Sequence, residues 1–120
     1  MIRLIAAAAL VVAGASLASC SSSDPAAVKL AVTGTNDACQ AAASTVKSGP
    51  VSFEFTNKAD AVNELYVLKA DGSIVSEVEN VTTGTTRSLQ VELGVGAYTL
   101  QCKPGQTGDG FLATIEATES

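Results

Sequence analysis

The chain has 120 residues, a net charge of −5 and no histidine, which is room for one domain and no more. Without imidazole it lacks the commonest general base and metal ligand, so Ser-His-Asp and Cys-His catalysis are excluded and no enzyme is expected. Its acidic balance repels phosphate backbones, which argues against nucleic acid as a partner.

Met1 to Ser19 carries one charge, Arg3, and then an apolar run from Leu4 to Ala15. A positive start, an apolar middle and small residues at the end are the anatomy of a secretory signal. The run falls short of the roughly 20 residues that a bilayer-spanning helix needs. It ends in Leu17-Ala18-Ser19-Cys20, which resembles the bacterial lipobox. That resemblance implies a signal peptide over 1–19 and acylation of Cys20, palmitate included. More than one acyl chain anchors stably, where a single chain binds only marginally. The protein is then expected on the outer side of a bacterial cell membrane, facing the periplasm or the exterior. Cleavage removes Arg3 and no acidic residue, which moves the net charge to −6.

Residues 20–27 read as lipidated Cys and flexible tether, with Ser21 to Ala27 small, polar and interrupted by Pro25. Residues 28–118 read as one folded domain. Val28, Leu30 and Val32 alternate with Lys29, Ala31 and Thr33, the period of a half-buried strand. Gly34 to Asp37 is turn chemistry. A helix of one or two turns is conceivable over the Ala-dense Asp37 to Ala43. Short strands follow at Thr45–Lys47 and at Val51–Thr56, where Val51, Phe53 and Phe55 share a face. Glu64 to Lys69 is a strand with apolar residues on both faces. Asp71-Gly72 signals a tight hairpin into Ile74–Val81. Ser88–Leu93 and Ala97–Lys103 come next, then a long loop over Lys103 to Gly110, and Phe111–Ala117 closes the chain. About seven to eight short strands at intervals of 8–12 residues fit an antiparallel or mixed sandwich.

Once Cys20 is lipidated, Cys39 and Cys102 remain. An even pair in an exported small domain reads as a disulfide. Closing a loop of 63 residues would stabilise by about 4 kcal/mol on the chain-entropy model. Two thiolates on a soft or borderline metal are the competing reading, and the sequence does not choose between them.

Gly96-Ala97-Tyr98 through Cys102-Lys103-Pro104-Gly105-Gln106, followed by Phe111 to Ala117, resembles the end of a cupredoxin. In that family one strand delivers a copper-ligating Cys, and a loop brings a His and an axial ligand. Here Gln106 stands where copper proteins have His, no Met follows, and the upstream His position falls near Asn63-Glu64. A blue-copper site needs two His and a thiolate, so a blue-copper electron carrier of the usual kind is not expected. Asp37-Ala38-Cys39, Phe53 to Asn57, Asn63 to Val67, Glu77 to Val81 and Cys102 to Gly105 stand in one order. Together they resemble the cupredoxin-like domain of EfeO-type iron-uptake proteins, across Val28 to Thr118. The resemblance implies an all-β, cupredoxin-like Greek-key sandwich that holds iron or copper outside the cytoplasmic membrane and hands it over in uptake. It also implies a metal-uptake permease or an M75 peptidase-like protein as partner.

The ligands it carries over are Cys39, Glu64, Cys102 and the Glu77/Glu79 pair. Glu77 and Glu79, two apart on a strand, are expected to point to one face, where a hard cation such as ferric iron would relieve their repulsion. Each residue has a structural alternative: a solvated edge charge for Glu64, a solvated face for the pair, a disulfide for the cysteines. Asp37 is expected to cap backbone N–H groups, Tyr98 to pack a sandwich corner and Asp109 to sit in a turn. A metal-free interaction or structural domain is the alternative function.

Overall fold

The computed structural model describes residues 27–120. The leader, Cys20 and the tether up to residue 26 lie outside the described residues.

Among the described residues nine strands form: β1 (Val28–Gly34), β2 (Cys39–Ala41), β3 (Thr45–Lys47), β4 (Gly49–Asn57), β5 (Asn63–Lys69), β6 (Ile74–Val81), β7 (Thr86–Leu93), β8 (Gly96–Cys102) and β9 (Phe111–Thr118). A short 3-10 turn spans Pro104–Gln106. Two sheets form, in the orders β2-β1-β4-β7 and β3-β9-β8-β5-β6. Most neighbours are antiparallel, while β1 pairs with β4 and β3 pairs with β9 in parallel. The fold is thus the expected all-β mixed sandwich, with one strand more than the sequence suggests.

That strand stands where the sequence makes a helix of one or two turns conceivable, over Asp37 to Ala43. A helix this short must meet its nucleation penalty with almost no propagation. Cys39–Ala41 instead continues a ladder, pairing with Val32–Gly34, and Cys39 is fastened to the opposite sheet. Tertiary pairing outweighs the helix propensity of four alanines.

The inner faces meet over Val32, Val51, Phe53, Phe55, Leu65, Val67 and Leu100, all fully buried. Each such side chain contributes roughly 1.5–3 kcal/mol of transfer free energy. Tyr98 closes one corner as expected, its hydroxyl donating to the Gly94 carbonyl at 3.0 Å.

Strand directions give the molecule two unlike ends. β1, β4 and β8 finish at one end, at Gly34, Asn57 and Cys102, and β5 and β9 begin there. This end carries the loops 35–38, 58–62, 82–85 and 103–110. Val28 and Thr118 lie at the other end, opposite the cysteine-bearing pole.

Candidate functional site

At the cysteine pole the two sheets are tied covalently. Cys39 opens the edge strand β2 and Cys102 ends the internal strand β8, with their Cα atoms 5.4 Å apart and their sulfurs bonded. Both are buried. This corrects the reading of Cys39 and Cys102 as metal thiolates, because a disulfide sulfur has no free thiolate to donate.

The rest of the pole is a net of amides. Asn57 is fully buried; its Nδ2 donates to the Ala61 and Val81 carbonyls at 2.9 Å each. Its Oδ1 accepts from the Ala59 amide at 2.9 Å and from Asn63 Nδ2 at 3.2 Å. Asn63 Oδ1 in turn accepts from the Glu64 amide at 2.9 Å. Both side chains therefore serve backbone groups that the turning chain would otherwise leave unpaired. Gly34 permits this packing: a Cβ there would stand 2.7 Å from Asn63 Nδ2 and 3.0 Å from the Phe55 ring. Gln106 is used in the same way. Its Oε1 accepts from the Asn80 amide at 2.8 Å, pinning the Lys103–Gly110 loop to the end of β6. Both residues are held at positive φ.

On the outer face of the five-stranded sheet, beside this pole, oxygen donors gather. Glu64 and Tyr66 are two apart on β5 and share that face, and Glu77 is directly across from Tyr66 on β6. Glu64 is 6% exposed, the one buried charged residue among those described. A buried carboxylate is unfavourable unless it is paired, and Tyr66 is the residue two positions along on the same face. Burial, together with the nearby Glu64 and Glu77 carboxylates that would repel a phenolate, pushes Tyr66 up to about 12. The Lys103 ammonium lies over the Tyr66 ring, 4.8 Å from its centroid.

The remaining expected residues separate from this group. Glu79 is exposed, and its backbone carbonyl accepts from Arg87 Nη1 at 3.0 Å. The Asp37 carboxylate accepts from the Thr35 hydroxyl at 3.1 Å and not from a backbone amide. Asp109 sits in the exposed loop. No three side chains of His, Cys, Asp or Glu converge among the described residues. Tyr66 was not singled out in the sequence, although its spacing from Glu64 places both on one face.

Among solved structures, the chain is similar to dithionite-reduced auracyanin from Roseiflexus castenholzii, with a TM-score of 0.60 and 13% identity over 77% of this chain and 98% of that one. The fold is cupredoxin-like. No family model and no curated protein matches the chain. Among the described residues, no helix is long and apolar enough to cross a membrane.

The cupredoxin-like fold suggests copper, and the pole does not fit it. Two imidazoles and a thiolate are required. The chain has no His, its sulfurs at this pole are joined to each other, and Gln106 and Asn63 are committed to hydrogen bonds. Covalent and amide bonds hold this pole together in the absence of a copper ligand set.

Proposed function

We propose that this chain is a lipid-anchored, extracytoplasmic cupredoxin-like protein that captures iron(III) through oxygen donors and hands it over in uptake. The observation that carries the reading is that Tyr66 lies on one face with Glu64 and directly across from Glu77. A phenolate and two carboxylates form a hard donor set, and hard cations prefer oxygen. A trivalent ion would replace the phenol proton and relieve the repulsion of the two carboxylates. Copper as cargo is disfavoured, because the soft donors are tied in the disulfide. The disulfide itself suits an oxidising, extracytoplasmic compartment.

β1 begins at the far end of the sandwich, so a flexible link from Cys20 would leave the Glu64–Tyr66 face free of the anchor. Such a face is open to a metal-uptake permease or to an M75 peptidase-like protein as recipient. The test is titration of the non-reduced protein with iron(III) while recording visible absorption and melting temperature. Binding produces a phenolate-to-iron charge-transfer band and a metal-dependent rise in melting temperature. Tyr66→Phe abolishes the band, and Glu64→Gln weakens binding.

A second reading, a metal-free interaction or structural domain, is favoured by the disulfide and by the lack of three converging ligand side chains. It predicts no band and no thermal shift with either metal.

A further inference from the structure

The chain contains two Asp-Gly pairs, Asp71-Gly72 and Asp109-Gly110, and the structure treats them oppositely. Asp71 sits in the β5–β6 hairpin turn. Its Oδ1 accepts from the Ser73 amide at 2.9 Å and from the Ser73 hydroxyl at 2.6 Å. The Gly72 amide is also occupied, donating to the Lys69 carbonyl at 2.9 Å. The Ser73 hydrogen bonds hold the Asp71 carboxyl below its ordinary range, so it stays ionised.

Asp109 lies in the exposed loop before β9. Among the described residues, no hydrogen bond engages its carboxylate or the Gly110 amide. Only its backbone carbonyl is held, by Gln101 Nε2 at 2.7 Å. Packing demands the glycine that follows. Gly110 has φ 62°, and a Cβ there would overlap the Cys102 carbonyl oxygen. A bulkier residue would slow attack by the amide on the neighbouring carboxyl, and this contact forbids one.

We propose that Asp109 is a site of spontaneous isoaspartate formation and that Asp71 is shielded from the same reaction. The Gly110 nitrogen attacks Asp109 Cγ. A C–N bond forms, the Cγ–O bond breaks, and one water leaves with the amide proton, giving a succinimide. Water then adds at the α-carbonyl and breaks its bond to nitrogen, leaving the chain linked through Cγ. The product is an isomer of the starting chain, and no oxidant or reductant takes part. The carbonyl that Gln101 grips becomes a free α-carboxylate. The main chain lengthens by one carbon beside Cys102, so the change reaches the disulfide pole.

The experiment incubates the folded, disulfide-intact protein in warm neutral buffer. Isoaspartate is then quantified at each site by peptide mass spectrometry with electron-transfer fragmentation. Isoaspartate is expected at residue 109 several-fold faster than at residue 71. Asp109→Glu should stop it at 109 and leave residue 71 unchanged, because the larger ring forms slowly. Ser73→Ala should raise the rate at residue 71 toward that at 109. Equal rates at the two sites in the unaltered protein, or a faster rate at 71, would overturn the proposal, as would a Ser73→Ala protein whose residue 71 is no faster.

Discussion

Asn57 uses both donors and both acceptor lone pairs of its side chain, all on groups of the pole. Removing them strands buried carbonyls and amides, and each unsatisfied group costs about 1–3 kcal/mol. Asn57→Ala should therefore destabilise by about 3 kcal/mol, read as a lowered urea midpoint at constant slope. Asn57→Asp should be at least as harmful, because an oxygen then faces the Ala61 and Val81 carbonyls. Tyr66 makes a pH prediction. Its folded value of about 12 lies above the ordinary 10.0, so between these values the folded chain keeps a proton that the unfolded chain has lost. The stabilisation is complete below pH 10.0 and disappears as pH rises toward 12. Tyr66→Phe should flatten this alkaline loss, measured by denaturation at several pH values. Period two makes the shared face of Glu64 and Tyr66 legible in the sequence. Glu77 opposite Tyr66 is not legible, because irregularities between Asn63 and Leu65 and between Val67 and Leu68 set the β5–β6 register. Nor did the sequence show that Asn57, Asn63 and Gln106 would be spent on backbone groups.

The strands with clean alternation, β4 above all, were readable from their residues, since Val51, Phe53 and Phe55 can be buried together in only one register. β2 was not readable. It has three residues and no periodicity of its own, and its conformation comes from β1 beside it and from the bond to β8. The disulfide carries much of the hold on this edge. Replacing Cys39 and Cys102 together by Ser should lower stability by about 2–5 kcal/mol. In hydrogen exchange, Cys39–Ala41 should lose protection before the β4–β7 ladder does, because short edge strands open at low local free energy. If β2 and β4 lose protection together in that variant, β2 is held by its ladder alone.

For the whole molecule, the start of β1 at Val28 and the disulfide pole lie at opposite ends of one sandwich. Anchoring at Cys20 is an expectation from the leader, and Cys20→Ser should release the protein from the membrane fraction without altering its melting temperature. The chemical account depends on which atoms meet a metal. Here the sulfurs are joined inside the pole, and phenol and carboxylate oxygens stand on its outer face. Iron(III) titration of the protein, with the disulfide confirmed intact by the absence of titratable thiols, tests this most directly. The account predicts a visible phenolate-to-iron band that Tyr66→Phe removes. Binding that appears only after the disulfide is reduced, or no binding at all, would contradict it.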